Sequence, residues 1–230
     1  MLLERLFRDL EEQSFIKGFE VTFFVELDEE NHLLIDASAV QIGEETLYYL
    51  MIHNVTIEYK QRKIKDFLAY HDFLTGIYNR AYFEKFVVEQ LKEIERNQGE
   101  AAILLCDLNF FKQINDTYGH QVGDQVLVYA TELFKKFLPQ PNVLARLGGD
   151  EFIILFENIS SKELFLNEIE GVRTKFVENP YVKGDLSIEV VPSFGIVFTQ
   201  EDGYEFHTLY LLADVRMYEN KKLLKNIETF

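Results

Sequence analysis

The sequence predicts an α/β (α+β) chain, a mixed sheet flanked by helices, behind a small segment of one helix and antiparallel strands. Three observations predict it. Strand and helix signals alternate from residue 71 onward, as they do in layered α/β packing. Two apolar runs, 143–147 and 152–156, are joined by a turn too short for a crossover helix, so part of the sheet must be antiparallel. Before residue 56, three runs rich in β-branched and aromatic residues follow one another with only polar breaks between them.

Residues 1–15 read as a short helix, because Leu2, Leu3, Leu6 and Leu10 recur at helical spacing. The runs 19–27, 33–40 and 46–55 read as one meander, divided at Asp28-Glu29-Glu30-Asn31-His32 and Gln41-Ile42-Gly43-Glu44. Residues 57–70 are charged and helical, with Ile57, Ile64, Phe67 and Leu68 on one stripe. That stripe fits either a helix packed on its own domain or a short two-chain coil. Beyond it the spacing predicts a helix over 81–97, a strand over 101–108 and a helix over 123–137. The paired strands follow, then a helix over 161–177, a strand region over 186–199 and a last helix over 206–225. Pro139 and Pro141 stand where a helix must stop before a strand. The stretch from Leu108 to Asp124 reads as a loop.

With 47% hydrophobic residues and 21 Phe among 230 residues, the chain has ample material for a core. Its net charge of −16 argues against a general nucleic-acid binder, because phosphate backbones need a basic surface. It leaves room for a mononucleotide site, where a few lysines, backbone N–H groups and divalent cations hold a triphosphate. Cys106 is the only cysteine, so no intrachain disulfide forms; within an apolar run it reads as a small buried hydrophobe. No apolar run approaches the roughly 20 residues of a membrane span. The N-terminus lacks a signal peptide's basic start and cleavage site, so the expected location is the cytoplasm.

The most informative stretch is Arg146-Leu147-Gly148-Gly149-Asp150-Glu151-Phe152. Two glycines between apolar strands make a tight turn and leave the backbone bare to a ligand, and two acids follow at once. Taken alone, Gly-Gly-Asp equally fits a plain surface hairpin. A third acid, Asp107, stands at the C-terminal end of the apolar 101–106 run, where open α/β sheets bind ligands. Its plainer role would be to end the strand and cap the next turn. If the hairpin neighbours that strand, the carboxylates converge and repel one another unless a cation holds them. Oxygen ligands completed by water and substrate phosphates suit Mg²⁺. In the following stretch Lys112 can meet phosphate as a point charge. Asn115 and Asp124 offer the acceptors and donors that a guanine edge needs. Singly, each fits an ordinary loop or cap residue, and His120 fits a packed loop histidine.

Residues 70–227 resemble the GGDEF domain of diguanylate cyclases, through motifs in the family's order. His71-Asp72-Phe73-Leu74-Thr75-Gly76-Ile77-Tyr78-Asn79-Arg80 looks like its opening segment, and the stretch from Asp107 to Asp124 like its nucleotide loop. Gly148-Gly149-Asp150-Glu151-Phe152 is similar to its signature. Ala213-Asp214-Val215-Arg216-Met217-Tyr218-Glu219-Asn220-Lys221 resembles its last helix. The resemblance implies a palm-like fold that condenses two GTP into cyclic di-GMP. It implies that Asp107, the Leu108 carbonyl, Asp150 and Glu151 hold metal, two Mg²⁺ per site with Mn²⁺ as the alternative ion. It gives Asp150 and Glu151 catalytic roles. Asn115 and Asp124 would read guanine, and His120 would contact substrate. Lys112, Lys221 and Lys225 would hold phosphates, and the backbone at Phe110, Phe111, Gly148 and Gly149 would wrap the triphosphate. Because one domain holds one GTP, the resemblance also implies a homodimer.

Some positions depart from that pattern. Asn109 stands where a second aspartate is frequent, Asn220 where alanine is usual, and Leu224-Lys225 where Gly-Arg is usual. The family's product-inhibition motif, Arg-x-x-Asp, is replaced by Pro139-Gln140-Pro141-Asn142, so no feedback is expected there. Residues 1–56 resemble the C-terminal part of a PAS sensor, and equally fit a dimerisation cap. The expected organisation is thus 1–56, a linker helix over 57–70, and a cyclase domain over 71–230. The alternative function is a weakly active or inactive GGDEF module that binds GTP and acts through protein contacts.

Overall fold

The computed structural model describes residues 2–24 and 30–227. Residues 25–27 of the first expected strand, and the side chains of Leu2, Leu3 and Lys225, lie outside the described residues. The chain divides into two compact units, Met1–Phe67 and Leu68–Phe230.

In the first unit, helix α1 (Leu2–Gln13) precedes strands β1 (Phe15–Phe24), β2 (Glu30–Ile42) and β3 (Glu45–Asn54). The strands form an antiparallel meander in the order β1-β2-β3. Leu6 and Leu10 of α1 are buried with Ile35 and Ala37 of β2, which makes a small one-sided core. Helix α2 (Thr56–Tyr70) follows, and its Thr56 hydroxyl accepts from the His32 N–H at 2.9 Å. Its apolar stripe is exposed, with Ile57 at 68% and Ile64 at 60%, so it is not packed on its own domain.

The second unit begins with β4 (Tyr78–Asn79), α3 (Arg80–Arg96) and β5 (Ala101–Leu108). Then come α4 (Phe111–Tyr118), α5 (His120–Phe137), β6 (Asn142–Gly148), β7 (Glu151–Glu157) and α6 (Lys162–Glu178). The chain closes with β8 (Tyr181–Lys183), β9 (Leu186–Ile188), β10 (Pro192–Phe198), α7 (Thr199–Asp202) and α8 (Phe206–Ile227). Five strands make the main sheet in the order β10-β5-β7-β6-β4. It is mixed, because β4 runs parallel to β6 while the other neighbours are antiparallel.

Alternation along β5 sorts its residues between two cores. Ala102, Leu104 and Cys106 pack with Val126, Leu127 and Phe134 of α5 and Phe165 and Ile169 of α6. Ala101, Ile103 and Leu105 pack with Phe83 and Val87 of α3 and Leu209 and Ala213 of α8. A sheet covered on both faces explains why β5 and β7 read as continuous apolar runs.

Two expectations are corrected. The stretch from Leu108 to Asp124 is largely helical: α4 occupies eight of its residues, and α5 starts at His120 rather than at residue 123. The expected 186–199 strand is three elements, β9, β10 and the short α7. A pair of turns in α4 offers only Phe111 and Ile114 as buried apolar positions, too few for a helical period to stand out.

Candidate active site

The hairpin between β6 and β7 is held beside the end of β5. In the β5–β7 ladder Asp107 pairs with Glu151, and the Leu108 N–H donates to the Asp150 carbonyl at 3.3 Å. Directly opposed residues of an antiparallel pair share a face, so Asp107 and Glu151 project together on the side of α3 and α8. Asp150 sits at the turn itself. Gly148 and Gly149 adopt φ of 139° and 53°, both favouring glycine, and a Cβ built on either would meet nothing within 4 Å. The turn is open to a ligand.

Its shape is fixed by an arginine. Arg146 Nε and Nη2 donate to the Gly149 carbonyl at 3.0 and 2.8 Å, and Nη1 donates to Asp72 Oδ1 at 2.9 Å. Asp72 also accepts from the Thr75 N–H at 2.9 Å and the Thr75 hydroxyl at 2.6 Å. Burial alone would raise the Asp72 carboxyl; the Thr75 and Arg146 hydrogen bonds outweigh it and hold it below its usual range. The opening segment is thereby tied to the turn across 74 residues of sequence. Arg146 carries a role that sequence reasoning missed; an arginine two residues before the glycine pair is its only local trace.

The electrostatics of the cluster are strained in the way that clustered carboxylates dictate. Burial, and then the charge of Asp107, raise the carboxyl of Asp150. Burial raises Glu151 as well, followed by Asp107 and Asp150, with Asp214 adding to the effect and Arg80 opposing it. Lys221 of α8 supplies a counter-charge, its Nζ donating to Asp107 Oδ1 at 2.5 Å. Among the described residues no three His, Cys, Asp or Glu side chains form a cage for a cation. The donor set still fits Mg²⁺, which takes one or two carboxylates and completes its shell with water and substrate phosphates. Lys221 and Arg146 at Asp150, and Arg80 at Glu151, offset the repulsion only in part, and a cation would relieve the rest.

The nucleotide stretch begins with Asn109, where an aspartate is frequent in the pattern. Its side chain is buried and accepts from the Ser193 hydroxyl at 2.8 Å, bracing β5 against β10. Phe110 follows at φ 61°, a left-handed conformation uncommon for a non-glycine residue, and it starts α4 without a side-chain cap. The first-turn N–H groups of α4, at Phe111 and Lys112, therefore have no intrahelical partner and suit an anion. The Asn115 amide lies against Gly123, where a Cβ would fall 2.0 Å from Asn115 Oδ1. Gly123 thus admits Asn115 next to Asp124; sequence reasoning missed this glycine. Asp124, Lys112 and His120 are exposed, and among the described residues no hydrogen bond or ion pair ties them to the acidic cluster. The Lys225 side chain lies outside the described residues. Cys106 is buried; burial, and then Asp107, push its thiol well up, so it stays an inert core residue.

Comparison with known proteins agrees with this arrangement. The family model described as diguanylate cyclase, GGDEF domain, matches residues 69–226. The signaling protein YkoW of Bacillus subtilis is 30% identical over 199 residues, 85% of this chain and 24% of its own length. The probable diguanylate cyclase DgcT of Escherichia coli is 33% identical over 162 residues, 69% of this chain and 35% of its own. The chain thus spans about a quarter to a third of these curated relatives. Among solved structures, a sensory box/GGDEF family protein of Caulobacter crescentus superposes with a TM-score of 0.62 at 28% identity, over 67% of this chain and 99% of that one. The GGDEF domain of TpbB (YfiN) from Pseudomonas aeruginosa gives 0.63 at 31%, over 66% of this chain and 89% of that one. Among the described residues no helix is long and apolar enough to cross a membrane. With its signature turn seated against Asp107 and a family match over most of its length, this chain belongs to the GGDEF-domain family of diguanylate cyclases.

Proposed function

We propose that this chain is a diguanylate cyclase that joins two GTP into cyclic di-GMP and releases two pyrophosphates. The observation that carries the reading is the pairing of Asp107 with Glu151 beside Asp150, at an open glycine turn. Asp107, Asp150, Glu151 and the Leu108 carbonyl would hold two Mg²⁺. Bound there, the ions would lower the cost of a 3′-oxygen anion attacking the α-phosphorus and neutralise the departing pyrophosphate. The α4 first-turn N–H groups, Lys112 and the bare backbone at Gly148 and Gly149 bind the triphosphate. Lys221 and Lys225 add charge to it. Asn115 and Asp124 read guanine, and His120 contacts the substrate. Asp150 and Glu151 take the catalytic roles beside the ions, with Glu151 helping to activate the attacking 3′-hydroxyl. Each chain holds one GTP, so ring closure takes place between two chains facing each other.

Purified protein incubated with GTP and Mg²⁺ is expected to yield cyclic di-GMP and pyrophosphate, resolved by chromatography. Specific activity should rise with protein concentration. Asp150→Ala should lower turnover by roughly 10³-fold or more, the scale of losing a main charge-stabilising group. GTP binding without product at any protein concentration would sink the proposal and favour the regulatory module.

A further inference from the structure

β10 is an edge strand, so it turns a row of backbone groups away from the sheet. Side chains take three of them. The Phe198 N–H donates to Asp202 Oδ2 at 3.0 Å, Arg216 Nη1 donates to the Ile196 carbonyl at 2.8 Å, and the Phe194 N–H donates to Asn220 Oδ1 at 3.1 Å. Arg216 also binds both oxygens of Asp202, at 2.7 and 2.9 Å. Two of these lashes, Arg216 and Asn220, stand one turn apart on α8. The helix between and before them lies directly on the strand. A Cβ on Gly195 would fall 1.9 Å from the Ala213 carbonyl and 2.5 Å from the Met217 nitrogen.

Asn220 is gripped from a second side. Arg173 of α6, from the opposite face of the sheet, donates Nη2 to the same Asn220 Oδ1 at 3.2 Å. Its guanidinium lies over the Phe194 ring at 5.2 Å, and Glu170 approaches Nη1 at 3.6 Å. Arg173 Nε is buried without a hydrogen-bond partner among the described residues. A lost donor bond is unfavourable, so stacking and the Asn220 bond must outweigh it to keep the guanidinium there. The residue after Asn220 is Lys221, whose Nζ meets Asp107. Asp107 in turn pairs with Ser193, the neighbour of Phe194. The Asn220 lash therefore fixes the point where Lys221 leaves α8 relative to the strand pair that carries Asp107.

We propose that Asn220, held by the Phe194 N–H and by Arg173, is a positioning residue that sets Lys221 against Asp107. This rests on the reading of the site as a GTP site, and the test separates the two. In the full chain, Asn220→Ala should raise KM for GTP about tenfold while kcat moves less than about threefold, the pattern of lost uniform binding. Asn220→Asp, which offers an acceptor to both donors, should bring KM back within about twofold of wild type. Arg216→Gln, which removes the lash one turn earlier, should lower Tm and leave KM unchanged. A readout independent of turnover comes from 15N-lysine labelling. The Lys221 Nζ signal, assigned by its loss in Lys221→Arg, should be protected from exchange in wild type and lose protection in Asn220→Ala. A merely structural Asn220 would lower Tm with KM and Nζ protection intact, which overturns the proposal. Equal KM shifts in Asn220→Ala and Arg216→Gln overturn it as well. If wild type turns over no GTP, the cyclase reading fails and Nζ protection alone decides the role of Asn220.

Discussion

The two sheets of this protein use similar residues and differ in what covers them. In β3, Leu47-Tyr48-Tyr49-Leu50-Met51-Ile52 is as apolar as residues 101–106 of β5. Yet Leu47 and Ile52 are 59% and 57% exposed, whereas every residue from Ala101 to Cys106 is at 0%. The main sheet has helices on both faces; the meander has α1 over part of one. Apolar composition is therefore not enough to make a core, because a layer needs a second layer against it. The chemistry follows the same division. Carboxylates that repel one another can be held together only on a floor that does not yield, and Asp107, Asp150 and Glu151 stand at the end of the doubly covered sheet.

The sharpest way to break this comparison is to cut one residue from each sheet. Phe152→Ala, emptying a fully buried site beside Phe134, should cost about 3–5 kcal/mol in denaturant unfolding. Leu47→Ala should stay within about 0.5 kcal/mol. Comparable losses would show that β3 is as covered as β7.

A smaller effect separates the acids by pH. Burial and Asp107 raise the Asp150 carboxyl in the folded chain, so the folded state holds that proton more tightly than the unfolded state. Stability from this group is then lost as pH rises through the folded value and regained below the unfolded one, near 4. Asp150→Asn should thus melt higher than wild type at pH 7 without added cation, and the gap should close on acidification towards about pH 4. Asp72 and Asp202 act in the opposite sense. Burial alone would raise both, but hydrogen bonds from Thr75 and Arg146, and from Arg216, hold them low. Their contribution is present above the unfolded value and lost as pH falls through the folded one. A gap for Asp150→Asn that widens in acid would contradict the assignment.

The smallest expected effect is none at all. The stretch Pro139-Gln140-Pro141 lines a cavity of 210 Å³ whose charged wall residues are Glu157 and Glu168. Acids there repel a cyclic dinucleotide's phosphates, so added cyclic di-GMP should not inhibit noncompetitively. Inhibition relieved by substitutions between Pro139 and Asn142 would prove otherwise.

Much of this was legible along the chain. The strands flanking the glycine turn, the meander and the long helices announce themselves by period and by breaks. Residues 111–118 hid a helix because Lys112, Gln113, Asn115, Asp116 and Thr117 leave only Phe111 and Ile114 as buried apolar positions, and because its start is the left-handed Phe110 rather than a capping Ser or Asp. β4 and β8, of two and three residues, carry too little pattern to be read. At the site, the acids were readable as residues in motifs, while Arg146, Gly123 and the Asn220–Arg173 contact were not.

The sequence by itself determined which residue types stand at strand ends and turns, since these follow from neighbours within a few positions. The tertiary structure alone decided which of them meet. Asp72 reaches Arg146 across 74 positions, Arg173 reaches Asn220 across 47, and Lys221 reaches Asp107 across 114. Such pairs depend on strand order and on which face each helix covers, and no local period along one chain encodes them.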